Sequence, residues 1–378
     1  MLIVQAEKIV SDGSCLSHID GKAIFIPFAL PNETIEIEIV ERKKNYERAK
    51  ITKLLSPSPF RIEPACAYYK ICGGCNMMHA SYEAQKNFRT EIIRDVFLQK
   101  KIALQKIDCL CDEQFFYRAR FTLHDGSLFQ KKAHTKIPIT QCVCATAEIN
   151  SWLKKTPIEK RPKGELRIFG DKTLQRFPNN IAVSEIKNSF PNESEKTIAT
   201  ILLLNKNIFF DINNFFQSNI RVLEKLILLL QKKLHGKHLL DMYAGVGTFS
   251  IFLQNNFERF TLVEENKNAC AFAKKNLQNV SHTFFSVKGS AWVKLQSEKN
   301  FDCAIVDPPR TGMEKAVCAY FAKSKIKTIC SISCDIATHA RDICLLIKAG
   351  YTIDAFYLLD FYPNTNRIES LALLSYKN

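Results

Sequence analysis

The fold is decided by residues 238–256, which read HLLDMYAGVGTFSIFLQNN. The apolar start predicts a buried strand, the two glycines predict a tight turn, and the remainder predicts a helix. Glycine at 245 and 247 lets the backbone approach a ligand closely. The next predicted strand, RFTLVE, ends at Glu264, where a carboxylate can bond both hydroxyls of a ribose. Asp241 precedes the glycine turn, and the stretch favours a nucleotide-type cofactor site, although a tight turn without a ligand is the alternative.

The rest of the C-terminal half repeats this alternation of strand and helix. NIRVLEKLILLLQKKL predicts an amphipathic helix, whereas FDCAIVDPPR, IKTICSISCD and SLALLSYK predict strands. Such alternation predicts a parallel or mostly parallel sheet that is covered on both faces. The fold class expected for residues 211–378 is therefore α/β, with a Rossmann-like sheet.

The N-terminal half has a different pattern. In residues 1–55, KAIFIPFAL, ETIEIEIVE and RAKITKLL predict short strands, which suit a small all-β barrel. A proline-rich linker follows at 56–64, then a helix at 81–100 and a mostly β region at 115–210. The prediction is three domains: 1–55, 56–210 and 211–378.

Composition limits the kinds of binding partner and the cellular compartment that are expected. The chain has 378 residues and a net charge of +15. Residues 1–60 are neutral, so the excess lies in 61–210 and 211–378. This favours a polyanionic partner such as nucleic acid, with a solvated basic surface as the alternative. No long apolar run or signal-peptide pattern is present, so a cytoplasmic protein with no membrane partner is expected. In that compartment clustered cysteines indicate a metal site or catalysis.

Two motifs suggest chemistry on a nucleobase. VDPPRTGM (306–313) places Asp307 at a strand end, where two prolines stiffen a loop that could hold a planar base. ICSISCDIATHARD (329–342) places Cys334 just after the following strand. Carbon C5 of uracil is a poor nucleophile, and addition of a thiolate at C6 activates it. The reaction then needs a base that removes the C5 proton.

The two reaction groups can be assigned from the sequence as hypotheses. A free thiol is only a few per cent ionised at neutral pH, so the site must lower the pKa of the thiol or accept its proton. Cys330 and Cys344 lie in apolar runs and are expected in the core. Glu369, which enters the final strand, is the candidate base, although a lone glutamate there is more often a solvent-facing residue.

Taken in order, FFQSN (215–219), DMYAGVGTF (241–249), VDPPRTGM, SISCDIATHARD and DFYPNTNRIESLALL (360–374) closely resemble the RNA uracil-5-methyltransferase family. The resemblance covers nearly the whole chain. It implies S-adenosylmethionine (SAM) as methyl donor, Cys334 as nucleophile and Glu369 as base. It also implies that Gln217, Tyr243, Glu264 and Asp307 contact SAM. Residues 1–55 resemble the RNA-binding TRAM barrel, an OB-like fold.

The sequence departs from the family pattern in three places. Ser290 stands where the family usually places an acid or amide near the adenine. Asn366-Arg367-Ile368 precedes Glu369, so the usual histidine is missing, and Asp335-Ile336 replaces the usual Asn-Pro after Cys334. These departures are expected to affect SAM affinity and rate.

A second constellation is ACAYYKICGGCNMMH (65–79), which places Cys66, Cys72 and Cys75 within ten residues. A closed metal site needs a fourth ligand, for which Cys109, Cys111, Cys142 and Cys144 are candidates. Four thiolates suit zinc or an iron–sulfur cluster. The resemblance implies Cys142 as the fourth ligand and a [4Fe–4S] cluster with a structural role, as in the branch that modifies 23S ribosomal RNA. Cys144 is the second choice.

The leading hypothesis is therefore a SAM-dependent enzyme that makes 5-methyluridine in RNA, most naturally 23S rRNA. A tRNA enzyme and an RNA-binding factor that has lost catalysis are the alternatives. A monomer is favoured.

Overall fold

The computed structural model describes residues 2–130, 135–176, 180–186, 197–295 and 300–376. The chain divides into two compact units. Unit 1 comprises residues up to Asp95 with Phe129–Ile137 and Tyr362–Arg367, and unit 2 comprises Val96–Leu128, Pro138–Phe361 and Ile368–Asn378. The predicted division at 1–55, 56–210 and 211–378 follows sequence segments instead, and it stays a prediction.

Unit 1 is built on a six-stranded sheet of order β1-β5-β6-β4-β3-β2. The strands are β1 (Leu2–Gln5), β2 (Lys8–Ile9), β3 (Ser14–Ile19), β4 (Lys22–Pro27), β5 (Thr34–Arg42) and β6 (Tyr46–Ser56). Strand β5 alternates apolar and charged residues as predicted, and its Ile35 and Ile37 are fully buried. The strands expected in residues 1–55 are therefore present.

The predicted helix at 81–100 is α1 (Tyr82–Gln99), which contributes residues to both units. Three small sheets follow, with orders β10-β9, β12-β11-β8 and β13-β14. Their strands are β8 (Arg120–His124), β9 (Leu128–Phe129), β10 (Lys136–Ile137), β11 (Glu165–Gly170), β12 (Ile181–Ile186), β13 (Ile198–Leu203) and β14 (Lys206–Asp211). Helix α2 (Ala147–Lys155) and a 3-10 turn at Ile158–Lys160 lie between β10 and β11 in the chain.

The largest sheet belongs to unit 2 and has the order β17-β16-β15-β18-β19-β21-β20-β7. Its strands are β7 (Asp108–Leu110), β15 (His238–Met242), β16 (Arg259–Val263), β17 (His282–Phe285), β18 (Cys303–Val306), β19 (Thr328–Ser333), β20 (Tyr351–Leu359) and β21 (Glu369–Tyr376). The helices between them are α3 (Ile220–Lys233), α4 (Thr248–Phe252), α5 (Lys267–Asn276), α6 (Gly289–Leu295), α7 (Lys315–Ser324) and α8 (Ile336–Lys348).

The strands from β17 to β19 are mutually parallel, and β21 is antiparallel to both β19 and β20. All residues of β15 and β18 are buried, as expected for central strands covered on both faces. The predicted mostly parallel α/β sheet is therefore confirmed. Strand β7 extends it from a segment that the sequence placed in the central domain.

In the part of the chain that the structure describes, no helix combines the length and apolar character of a membrane span.

Candidate active site

The predicted site residues lie together at one end of the large sheet, at the carboxyl ends of its parallel strands. This region is called the cofactor edge. Glu264, Asp307 and Cys334 each follow the last residue of a parallel strand, β16, β18 and β19 respectively. Glu369 begins β21, which runs the opposite way, so its amino end lies at the same edge. The carboxyl ends of parallel strands are where open α/β sheets bind their ligands.

The glycine turn after β15 is held to the next strand by Glu264. Tyr243, Gly245 and Gly247 all have left-handed backbone angles, with φ of 64°, 56° and 78°. The Gly245 amide donates to Glu264 Oε2 at 2.9 Å, and the Asn266 amide donates to Oε1 at 2.8 Å. The two amides fix the carboxylate, whose remaining lone pairs suit the hydroxyls of a ribose.

Asp241 lies beneath this turn. It is buried, and Ser250 Oγ on α4 donates to its Oδ2 at 2.6 Å. Loss of hydration raises the pKa of Asp241 from 3.8 to about 6. The carboxylate therefore fastens the turn to α4 at an electrostatic cost.

Two predicted cofactor residues present buried polar atoms to the site. Gln217 Oε1 and Tyr243 Oη are inaccessible to solvent and have no hydrogen-bond partner among the described residues. Buried polar atoms are normally satisfied, and an exception at a ligand-binding edge indicates a group that the ligand supplies. These atoms fit a SAM site.

Glu314 supplies a carboxylate beside Ser290, the position where the family usually has an acid or amide. Its Oε2 accepts from the Ser290 amide at 2.6 Å, and its Oε1 accepts from Ser290 Oγ at 3.2 Å. A carboxylate is thus present beside position 290, although it comes from the residue before α7. Sequence reasoning missed Glu314, and the only signal was a glutamate directly after VDPPRTGM.

The loop that follows Asp307 is fastened to α8. The Met313 amide donates to Asp342 Oδ2 at 2.8 Å, and Arg341 Nη2 donates to the Thr311 carbonyl at 3.1 Å. Gly312 between them has φ of 76°, and a Cβ there would lie 2.4 Å from Arg341 Nη2. Glycine is required at this position by both backbone angle and space.

Cys334 and Glu369 lie near each other at the end of the β19–β21 ladder. The last pair of that ladder is Ser333 and Ser370, which are the immediate chain neighbours of Cys334 and Glu369. The Glu369 carboxylate is close enough to the Cys334 thiol to raise its pKa. Cys334 is exposed whereas Glu369 is buried.

A buried histidine fixes the two strands behind this pair. His339 Nδ1 lies 2.7 Å from Ser370 Oγ, and its Nε2 lies 3.2 Å from Ser331 Oγ. Burial lowers the pKa of His339 to about 3, so the imidazole is neutral and links the serines without adding charge.

The groups around Cys334 do not lower the pKa of its thiol, which was one of the two options that the sequence left for activating it. Loss of hydration, then the carboxylates of Glu369 and Asp307, raise the pKa of the Cys334 thiol, and Arg310 and a backbone hydrogen bond oppose them. The resting site therefore does not lower this pKa. Burial and the Asp241 carboxylate raise the pKa of Asp307 to about 7, so this half-buried carboxyl can exchange a proton near neutral pH.

The other departures have local structural roles. Asp335 is the N-cap of α8, and its side chain accepts from the Thr338 amide at 2.9 Å. Arg367, in unit 1, lies over the Tyr362 ring at 5.1 Å. Of the two cysteines predicted to be in the core, Cys330 is fully buried and Cys344 is half-buried.

The clustered cysteines are half-buried residues of unit 1. The Gly74 amide points to Cys72 Sγ at 3.4 Å, and the Gly73 amide donates to the Phe129 carbonyl at 3.2 Å. An amide directed at sulfur suits a thiolate ligand, because such hydrogen bonds stabilise its charge. Cys66 and Cys75 lie on either side in the same loop.

In unit 2, Cys142 is half-buried and Cys144 is buried. A hydrogen bond to Cys144, followed by burial, raises the pKa of the Cys142 thiol. Within the described ranges, no three His, Cys, Asp or Glu side chains are gathered into a group that could hold a metal ion. The thiols suit a metal chemically, but their arrangement is not that of a formed site.

Comparison with known proteins gives consistent matches. A family profile described as "Conserved hypothetical protein 95" matches residues 218–341. An "Uncharacterized RNA methyltransferase" of Treponema denticola is 34% identical, with 98% of each chain covered. The "23S rRNA (uracil(1939)-C(5))-methyltransferase RlmD" of Vibrio parahaemolyticus is 27% identical, with 98% of this chain and 95% of the relative covered.

A solved structure also matches over the full length. It is the Pyrococcus abyssi tRNA (uracil-54, C5)-methyltransferase in complex with S-adenosyl-L-homocysteine, which is 25% identical with a TM-score of 0.76. The match covers 99% of this chain and 100% of that one. It identifies the fold as that of a SAM methyltransferase, and the enzyme class and family predicted from the motifs are confirmed. The chain therefore belongs to the RNA methyltransferases, in the family that includes the RNA uracil-C5-methyltransferases.

Proposed function

We propose that this protein methylates C5 of uracil in RNA, with SAM as methyl donor and 23S rRNA as substrate. The observation that carries the proposal is the proximity of Glu369 and Asp307 to Cys334 at the cofactor edge of the sheet, where both carboxylates raise the pKa of the thiol. The substrate printed for the Vibrio relative supports 23S rRNA. The substrate printed for the Pyrococcus protein keeps tRNA as a second candidate.

SAM would lie along the ends of β15, β16 and β18. Glu264 would bond the ribose hydroxyls, because its carboxylate is already aligned by two amides. Gln217 Oε1 would accept from the amino group of the methionine part, which would satisfy its buried oxygen. Tyr243 and Asp307 would complete the contacts, with Asp307 also close to the target base.

The target uridine would have to leave its stack to reach this edge. Cys334 gives its proton to Asp307, and its sulfur forms a bond to C6 while the C5–C6 π electrons shift to give an enolate. SAM held by Glu264 and Gln217 would supply the methyl group, which would bond to C5 as its bond to the sulfonium sulfur breaks, leaving S-adenosylhomocysteine. Glu369 then removes the C5 proton, the C5–C6 double bond re-forms, and the bond between sulfur and C6 breaks. Cys334 regains its proton from Asp307.

This assignment separates two proton transfers. Asp307 has a pKa near 7, so it can accept a thiol proton and return it in the same cycle. The Glu369 carboxylate is close enough to the Cys334 sulfur to raise the pKa of the thiol, so it would lie near C5 when that sulfur bonds to the adjacent C6. Arg310 contributes positive charge that favours the thiolate.

The proposal is tested by methylation of unmodified 23S rRNA and tRNA transcripts with labelled SAM. Cys334→Ala should abolish methylation, whereas Cys344→Ala should retain it because that residue lies on α8 away from the cofactor edge. Full activity of Cys334→Ala would refute the assigned nucleophile. Calorimetry with SAM separates the enzyme from a non-catalytic RNA-binding factor, since absence of binding would favour the factor.

The substrate class is decided by the RNA that accepts the label. Methyl incorporation into the 23S transcript but not the tRNA supports the first choice. The opposite result assigns the chain to tRNA. Mapping of the missing 5-methyluridine in RNA from a gene knockout would identify the position.

We also propose that Cys66, Cys72, Cys75 and Cys142 bind a [4Fe–4S] cluster, and that residues 1–55 are a TRAM-like RNA-binding domain. Support for the cluster comes from the cysteine spacing and the amide directed at Cys72. The cluster would stabilise the RNA-side part of the chain. Anaerobically purified protein should contain about four iron and four sulfide per chain. Stoichiometric zinc without iron would refute the cluster.

A further inference from the structure

Phe116 is an exposed aromatic residue with an unfavourable backbone. Its side chain is 55% exposed, and its φ of 53° lies in the left-handed region. Residues with a Cβ rarely occupy this region, and a bulky ring there is an outlier. Such an outlier persists only where the surrounding structure enforces it, and it often marks a functional position.

The enforcing contacts come from α3. Arg221 Nη2 donates to the Phe116 carbonyl at 2.7 Å, and Arg221 Nη1 donates to Asp112 Oδ1 at 3.2 Å. Lys225, one turn further along α3, contacts Asp112 Oδ2 at 2.7 Å. On its other side, the Phe116 amide donates to the Val143 carbonyl at 3.0 Å. The loop is thus fixed with the ring directed into solvent.

The ring lies next to the loop that carries a proposed cofactor contact. Arg118 forms an antiparallel bridge with Asn219, and the Ala119 amide donates to the Ser218 carbonyl at 2.7 Å. Phe116 is two residues before Arg118 in the chain, and Gln217 is two residues before Asn219. At no more than about 3.5 Å per residue, each lies within about 7 Å of the bridge, so the two fall within the span of a few nucleotides.

The surface around Phe116 carries a small net positive charge. Residues 111–121 and the first turns of α3 carry four cations against three carboxylates; the cations are Arg118, Arg120, Arg221 and Lys225, and the carboxylates are Asp112, Glu113 and Glu224. An exposed ring beside cationic side chains is the combination that proteins use for unpaired nucleotides, because bases stack on the ring while cations contact phosphates.

We propose that Phe116 is a stacking platform for an unpaired base of the RNA that flanks the target uridine. This inference rests on the proposed function, because that function makes RNA the substrate. When the target uridine leaves the stack, the unpaired bases next to it lose a stacking partner. The ring replaces one of those partners and holds the opened RNA against unit 2.

The test compares Phe116→Ala, Phe116→Gly and Phe116→Trp in the full-length protein, with 23S rRNA and tRNA transcripts as probes. Alanine and glycine should each weaken RNA binding about 5- to 150-fold, which is the range that loss of one base–aromatic stack gives. Phe116→Trp should bind RNA as well as the wild type, and RNA should quench the fluorescence of the introduced indole ring. Leu228→Ala, which removes another exposed apolar side chain from α3, should bind RNA normally.

Glycine and alanine also separate the binding role from the fold. Glycine tolerates positive φ, so Phe116→Gly should melt at or above the wild-type temperature while it still loses RNA affinity. SAM affinity, measured by calorimetry, should be unchanged in every variant. The proposal is overturned if Phe116→Ala binds RNA as well as the wild type. It is also overturned if SAM and RNA affinities fall by the same factor.

These readouts distinguish the proposal from the proposed function. If the wild-type protein binds RNA without methylating it, uracil methylation fails, yet the effect of Phe116 on RNA affinity can still be measured. If methylation proceeds normally in Phe116→Ala with an unchanged KM for RNA, only the stacking proposal fails.

Discussion

Glu369→Gln is predicted to trap the enzyme on its substrate. Glutamine has the size and shape of glutamate, so β21 and its pairing with β19 should be retained. It cannot accept the C5 proton, however, and the thiol cannot leave C6 until that proton has gone. The variant should therefore transfer one methyl group per chain and then remain bonded to the RNA through Cys334.

The size of the effect follows from the role of the base. Removal of a general base slows its step by about 10²- to 10⁴-fold. If elimination and the preceding steps have similar rates in the wild type, a hundredfold slower elimination leaves about 99% of the active chains in the adduct. Glu369 also raises the pKa of Cys334, so the variant should have a lower thiol pKa and react faster with iodoacetamide at neutral pH.

The assay is a denaturing gel after incubation with RNA and labelled SAM, alongside the alkylation rate of the RNA-free protein. Glu258→Gln, a change to an exposed glutamate ahead of β16, is the matched control and should turn over normally. The reasoning is refuted if Glu369→Gln turns over repeatedly without a gel-stable adduct. An alkylation rate below that of the wild type would contradict the predicted fall in the pKa of the Cys334 thiol.

Three further outcomes are expected. Gln217→Leu removes the buried acceptor, so the Kd for SAM should rise about 10- to 100-fold by calorimetry while RNA affinity is kept; an unchanged Kd contradicts the assigned contact. Asp241→Asn should stabilise unit 2 by about 3 kcal/mol at pH 8 and by less than about 1 kcal/mol at pH 4. The sign follows because a raised carboxyl pKa penalises the folded state only as pH rises from 3.8 through about 6. Urea unfolding followed by tryptophan fluorescence measures this, and a pH-independent gain would disprove it. Gly312→Ala should lower methylation and displace Arg341, with a crystal structure of the variant as the check.

Local sequence patterns were sufficient to predict most of the large sheet. β15, β16, β18 and β19 are short apolar runs followed by turn residues, and such runs are identifiable without knowledge of their neighbours. Strand β7 was not predicted, because its three residues, Asp-Cys-Leu, have no periodicity. It is a strand only because it pairs with the edge strand β20, and pairing of that kind is not a local property of sequence.

The site could be predicted in part for the same reason. Strand ends identified Glu264, Asp307 and Cys334, since each directly follows an apolar run. The contact between Glu314 and Ser290 joins residues 24 positions apart through a side-chain geometry that no spacing rule gives. The proximity of Cys334 and Glu369 depends on the pairing of β19 with β21, whose last pair is formed by their neighbours Ser333 and Ser370, and such pairing is not a local property of sequence.

The raised pKa of Cys334 favours two proton acceptors over one. If Glu369 alone served the site, it would take the thiol proton first and would then be protonated when the C5 proton had to leave. It would need to lose that proton to solvent in the middle of the cycle, although it is buried. With Asp307 holding the thiol proton, Glu369 stays ionised until C5 is methylated. The raised pKa of Asp307 then favours both transfers, because a carboxyl near neutrality holds the proton long enough to return it to the departing sulfur.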